Sequence, residues 1–259
     1  MDLGLDGKVA VVAASSKGLG KASALALARE GARVTICART EADLEAAAED
    51  IRSETGAESL PVPADLSTAE GVELVVAATV ERFGGVDVLV NNSGGPAPGR
   101  FFDLTDADWR AAFEAVTLNF VRFVGAVVPH MRERKWGRIV GIQSSSVKQP
   151  VENIDLSNGI RPGIAGLVKA IAPDLARDGI TINLVLPGTF LTDRLRHGFG
   201  PAEVDDQVIE SAVGPTIPMG RLGRPEELGA LVAFLASEHA AYITGAVYQI
   251  DGGAIRSNV

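Results

Sequence analysis

KVAVVAASSKGLG, residues 8–20, opens on an apolar run and closes on two glycines one residue apart. Lys8 to Ala13 carries three valines and reads as a short strand buried on both faces of a parallel sheet. A loop of small residues follows. Leu19 to Glu30 then spaces its apolar residues as a helix does and stops at Gly31. Strand, glycine loop and helix in this order predict a phosphate-binding turn. Gly18 and Gly20 let the backbone approach a pyrophosphate, and the helix start offers unpaired N–H groups and the positive end of its dipole. Glycines beside a helix also serve packing alone, and the third glycine of the dinucleotide pattern is replaced by Ser23.

The same alternation continues to the end of the chain. Further strands are expected at 33–38, 60–63, 86–90, 138–142, 180–186 and 246–250. Helices are expected at 41–52, 68–83, 106–134, 164–177 and 225–237. Repeated β-α units predict one α/β domain over residues 1–259: a Rossmann-like, doubly wound parallel sheet of about seven strands with helices on both faces. Its functional loops belong at the C-terminal edge of the strands. The least regular stretch, residues 190–218, reads as a lid of short helices over a site.

Composition narrows the partners. Of 259 residues, 46% are hydrophobic and 22% charged, which suits a folded domain. The formal net charge of −9 disfavours nucleic acid or an anionic membrane as partner and leaves a small-molecule substrate as the expectation. The single cysteine, Cys37, allows no intrachain disulfide, as in a reducing compartment. Met1 to Asp6 is acidic without a signal pattern, and charges or prolines interrupt each apolar run before membrane-spanning length, so a cytoplasmic protein is expected. His130, His197 and His239 lie too far apart in sequence to suggest a metal site.

The loop at 13–20 resembles the Thr-Gly-x-x-x-Gly-x-Gly signature of short-chain dehydrogenases/reductases, and later motifs extend the likeness over nearly the whole chain. Asp65, with Leu66, follows the third strand, where the family's aspartate meets the adenine. Asn91-Asn92-Ser93-Gly94 is similar to the family's Asn-Asn-Ala-Gly. Pro187-Gly188 and Thr192 match Pro-Gly-x-x-x-Thr at the nicotinamide amide, and Ile243-Thr244-Gly245 and Asp251-Gly252-Gly253 match its C-terminal pattern. The resemblance implies a nicotinamide dinucleotide held by Ser15, Ser16, Lys17, Gly18, Leu19 and Gly20. It adds Asp65, Leu66, Asn92, Ser93 and Gly94, then Pro187, Gly188 and Thr192. Ala13 and Ala14 replace the leading Thr-Gly, which implies weakened binding.

The residues after the second strand bear on the choice of cofactor. A carboxylate there would bind a ribose 2′-hydroxyl and repel a 2′-phosphate. The chain has Cys37-Ala38-Arg39 and no carboxylate before Glu41. Arg39 and Lys17 together suit a 2′-phosphate, so NADP is expected over NAD. The plainer reading is two solvated surface cations.

At the catalytic positions the pattern breaks. The family uses a tyrosine as proton donor, a lysine that lowers its pKa, a serine on the substrate oxygen and an asparagine on the preceding long helix. Counting back from Gly166-Leu167-Val168-Lys169 puts Ser157 at the tyrosine place and Arg161 at the lysine place, with Ser144 matching the serine. The asparagine place falls on Val116, and Asn119 is one turn late. A serine hydroxyl is a far weaker acid than a phenol. Arg161 stays charged and suits ribose hydroxyls or a substrate carboxylate. Pro162 is expected to push Arg161 out of helical geometry and to begin the helix itself, so that Ser157 and Arg161 need not share a face. Glu152 and Asp155, read first as solvated loop carboxylates, and His197 in the lid are further candidate acids.

Three readings stay open: an NADP-dependent oxidoreductase with a non-standard proton donor, acting on a small carbonyl, enone or imine; a non-redox enzyme on the same fold; and a catalytically silent NADP-binding protein. The family resemblance implies a homo-oligomer, dimer or tetramer, packed through the long helices and the C-terminal strand and helix.

Overall fold

The computed structural model describes residues 1–199 and 204–257. Seven strands, β1 (Val9–Ala13), β2 (Arg33–Ala38), β3 (Ser59–Pro63), β4 (Val88–Asn91), β5 (Gly137–Ile142), β6 (Ile180–Pro187) and β7 (Val247–Ile250), form one sheet in the order β3-β2-β1-β4-β5-β6-β7. Every pairing is parallel: Val11 of β1 faces Thr35 of β2 on one side and Leu89 of β4 on the other. The order reverses at β1, so the crevice between the loops after β1 and β4 is where a doubly wound sheet binds ligands.

Alternate side chains of each strand enter two cores. Val11 and Ala13 pack with Val72, Phe120, Phe123 and Val168 on one face; Ala10 and Val12 pack with Leu27, Leu44, Ile51 and Leu228 on the other. The second face carries α1 (Gly18–Arg29), α2 (Glu41–Thr55) and α9 (Pro225–Ala236). The first carries α3 (Ala69–Phe83), α5 (Asn119–Arg134) and α6 (Asp155–Ala176). Burial on both faces explains why the strands read as continuous apolar runs rather than as alternations.

Two helices depart from the expectation. The stretch 106–134 is helical throughout but not uniform: α4 (Asp106–Phe113) meets α5 through a π-helical turn at Glu114–Leu118. By length and composition this helix would also pass for a membrane span, contrary to the reading that no apolar run is long enough. Its place in the fold accounts for its composition: it lies against α3, β4 and β5 and buries Phe120, Phe123, Val127 and Met131.

The larger departure is α6. It begins at Asp155, not at Pro162, and runs through Pro162 and Pro173. Tertiary contacts override the poor local sequence. Leu156, Ile160 and Ile164 recur every four residues and are buried, each burial contributing about 1.5–3 kcal/mol. Asn158 clamps the incoming loop, accepting from the Val151 N–H at 3.0 Å and donating to the Val151 carbonyl at 2.8 Å. Gly159 leaves room for Trp109, whose ring would stand 2.9 Å from a β-carbon there. Together these outweigh an interior proline, which costs about 3 kcal/mol.

That balance predicts the effect of removing the proline. Pro162→Ala is expected to stabilise the fold by about 1–3 kcal/mol, seen as a higher urea midpoint at unchanged slope. A lower midpoint would show that the ring helps the native helix rather than opposing it.

Candidate active site

The loops at the C-terminal edge of β1, β4, β5 and β6 enclose a cleft of about 480 Å³. One end is built by the β1–α1 loop. Ala14 sits there at φ +49°, in the left-handed region that favours glycine. An L-residue with a β-carbon pays roughly 1–2 kcal/mol for this conformation. The loop makes the turn nonetheless, because Asn92 Nδ2 donates to the Ala14 carbonyl at 3.3 Å and β1 is fixed in the sheet. Gly20 is required by packing: a β-carbon would lie 2.2 Å from the Ala14 oxygen. Gly18 has φ +56° and faces Thr192, whose methyl would be 3.6 Å from a β-carbon.

The loop fits a pyrophosphate. The first turn of α1 has no capping side chain and no acidic residue, whereas α2, α3 and α4 all carry acids in theirs. Its N–H groups and dipole are therefore free for an anion. Lys17, Gly18, Leu19, Asn92 and Gly94 line the cleft from this side, and Pro187, Gly188 and Thr192 close it from the other.

Several expected contacts serve other ends. Ser15, expected as a cofactor contact, is fully buried. Its hydroxyl donates to the Val12 carbonyl at 2.6 Å and accepts from the Cys37 N–H at 3.1 Å, stitching β1 to β2. Ser16 and Ser93 stand in the loops, and Gly20 in the first turn of α1, without lining the cleft. Lys17, expected beside Arg39, turns to Asp43 of α2 at 3.0 Å; such an exposed pair is worth little and exchanges partners cheaply. Arg39 is exposed at the end of β2, near enough to help hold the Asp65 carboxyl below its usual range; the larger cause is the pair of hydrogen bonds from Ser67. Leu66 offers its carbonyl to Asn119 Nδ2 at 2.7 Å. Burial pushes the Cys37 thiol up to about 12, so it is no nucleophile at neutral pH.

The inner end of the cleft holds the substituted catalytic positions. Because α6 is intact, Ser157 and Arg161 do share a face: Arg161 Nε donates to Ser157 Oγ at 3.0 Å. Arg161 Nη1 donates to Gln143 Oε1 at 2.8 Å, and Ser157 Oγ lies 3.2 Å from Ser146 Oγ. Both Ser157 and Arg161 are 5% exposed. Burial lowers the Arg161 pKa to about 10, helped by the positive charge of Arg194, and it stays protonated at neutral pH. Ser144 lines the cleft, with its hydroxyl accepting from the Ser146 N–H at 3.2 Å.

The other candidate acids are elsewhere. Glu152 pairs with Arg100 at 2.7 Å, Asp155 accepts from the Phe101 N–H at 2.8 Å, and His197 is exposed on α7 (Asp193–Gly198). Val116 is buried in the core, and Asn119 is spent on Asn91 and Leu66. Sequence reasoning missed Gln143 and Ser146. The triplet Ser144-Ser145-Ser146 was the available signal, but spacing alone selects only its first member.

The stretch 190–218 folds as α7, α8 (Asp206–Val213) and a 3-10 turn at Gly214–Thr216; residues 200–203 lie outside the described residues. Arg196 ties the two helices by pairing with Asp193 and Asp206, each at 2.8 Å.

Comparison with known proteins agrees with this geometry. A family model described as enoyl-(acyl carrier protein) reductase matches residues 13–254. The chain is 34% identical over 253 residues to the 3-oxoacyl-(acyl carrier protein) reductase FabG of Vibrio cholerae, covering 97% of this chain and 98% of that one. The L-sorbose reductase of Gluconobacter frateurii, solved with NADPH and L-sorbose, superposes with a TM-score of 0.93 at 32% identity, over 99% of this chain and 100% of that one. An actinorhodin polyketide ketoreductase solved with NADPH gives 0.88 at 35% identity, over 95% and 97%.

The left-handed alanine yields a prediction. Ala14→Gly is expected to stabilise the protein by about 1 kcal/mol, raising Tm by roughly 2–4 °C. Unchanged or lower Tm in a thermal melt would mean that the lost strain is offset by glycine's greater freedom in the unfolded chain.

Proposed function

Because this chain belongs to the short-chain dehydrogenase/reductase family, we propose that it is an NADP(H)-dependent oxidoreductase whose proton path is rebuilt around Ser157 and Arg161. The observation that carries the reading is the continuity of the cleft. One cavity runs from the uncapped start of α1 past Thr192 to Ser144, Ser157 and Arg161. NADPH-bound reductases among the solved relatives support the choice of cofactor, as does the exposed Arg39 at the end of β2 with no carboxylate beside it in sequence.

The bound dihydronicotinamide would supply a hydride to an electrophilic carbon. The chain's own residues handle the atom that gains negative charge. Ser157 Oγ already accepts from Arg161 Nε, which leaves its proton for Ser146 or for a substrate oxygen or nitrogen. The guanidinium behind it strengthens that hydrogen bond. Serine remains too weak an acid to yield the proton outright, so the proton comes from water and Ser157 orients and polarises. This favours acceptors needing little acid assistance: a polarised C=C bond, an iminium or an activated carbonyl. The described parts of 190–218 would act as the lid, with Thr192 at its root against Gly18. The exposed Phe102 in the turn before α4, Phe113 at the end of α4 and Val121 on α5 support a homo-oligomer, dimer or tetramer.

Titration of nicotinamide fluorescence tests the cofactor. NADPH is expected to bind at least about tenfold more tightly than NADH, and Arg39→Ala to weaken NADPH by about 10–100-fold while sparing NADH. Equal affinity for both nucleotides, or neither binding, would remove this reading. In a screen of ketones, enones and imines for NADPH consumption, Ser157→Ala is expected to lower kcat by about 10–100-fold with KM little changed. Turnover without NADPH consumption would instead select the non-redox reading, which the lack of a phenol at the inner end of the cleft favours.

A further inference from the structure

Arg161 is a buried cation without a counter-ion among the described residues. Its hydrogen-bond acceptors, Ser157 Oγ and Gln143 Oε1, are both neutral oxygens. Of a guanidinium's N–H groups, these bonds use one on Nε and one on Nη1, and the Nη1–Nη2 edge keeps the others. That edge turns to the cleft wall at Gly95: a β-carbon there would lie 3.0 Å from Arg161 Nη2 and 2.9 Å from Arg194 Nη1. Arg194 comes from α7 and donates to the Pro96 carbonyl at 2.9 Å; no carboxylate among the described residues pairs with it either.

The remaining charges of the cleft are spoken for. Lys17 pairs with Asp43 and Asp193 with Arg196. Two guanidiniums that no carboxylate among the described residues neutralises therefore meet on one side of Gly95, in a chain with 33 acidic residues against 24 lysines and arginines. A buried charge without an opposite partner is costly, and two like charges add to the cost. No acid among the described residues relieves it, which leaves an anionic ligand as the partner that would.

We propose that the substrate carries a carboxylate, and that Arg161 and Arg194 hold it beside Gly95 with the reducible bond turned towards Ser157. The planar fork of Arg161 matches the two oxygens of a carboxylate. The cleft must also admit a nicotinamide, which restricts the acid to a small one. Arg161 thus does two things at once: its Nε side positions Ser157 and its outer edge binds the substrate. This deepens the oxidoreductase reading and rests on it for the reaction, but the anion site can be measured by itself.

Calorimetry on the full chain, with and without NADPH, decides it. The probes are crotonate, cinnamate, 2-oxobutanoate and 4-oxopent-2-enoate, each paired with its methyl ester. At least one acid is expected to bind at least about tenfold more tightly than its ester. Arg194→Gln, on the exposed lid helix, is expected to erase about tenfold of that preference while NADPH affinity stays within about threefold. Arg161→Gln is expected to bring acid and ester to similar affinity, and Arg161→Lys to restore part of the difference. Esters that bind as well as acids throughout the series would overturn the proposal. So would an Arg161→Gln variant that loses NADPH affinity but keeps the acid preference, since Arg161 would then serve the cofactor ribose. An acid preference that persists in protein unable to bind NADPH would support the anion site and sink only the cofactor reading.

Discussion

A parallel sheet covered on both faces has nowhere to display chemistry except at the ends of its strands. That constraint organises this molecule. β1, β4, β5 and β6 bury their side chains in two cores, and the loops that leave their C-terminal edge share one cleft. The loop after β1 offers an anion-seeking helix start, the segment after β5 brings Gln143 to Ser146, and the helix that follows returns Ser157 and Arg161 to the same place. The glycines at 18 and 20 and the left-handed Ala14 are local answers to that crowding.

The strands were legible because their composition has one cause, burial on both sides, and expected and observed boundaries differ by no more than two residues. The start of α6 was not legible. Taken locally, Ser157-Asn158-Gly159-Ile160-Arg161-Pro162 argues against a helix. What overrides that local preference lies far away in sequence: Trp109 on Gly159, and Val151 held by Asn158. Propensity is a weak prior when three buried apolar residues stand on the other side. The same error hid the contact between Ser157 and Arg161, which requires an unbroken turn.

The candidate site was legible by position and opaque in its connections. Ser144, Ser157 and Arg161 do line one cavity. Yet Ser157 also meets Ser146, and the second acceptor for Arg161 is Gln143, a residue without a distinguishing spacing. Ser15 shows the converse. It stands in a loop motif, but its hydroxyl closes the sheet rather than meeting solvent. A motif marks where the backbone must go; which side chains face the ligand depends on rotations that one-dimensional patterns do not encode.

Leu191, Ile209, Ile217 and Leu222 form a third apolar cluster, separate from the two that sandwich the sheet. Its few side chains bury little area beside those cores. Cooperativity follows contact, so a cluster this small is expected to open at a lower free energy than the sheet and its flanking helices. Amide hydrogens of α7 and α8 are then expected to exchange through a sub-global event of lower free energy than complete unfolding. The mouth of the cleft thus rests on an apolar cluster of its own, set apart from the two that hold the sheet.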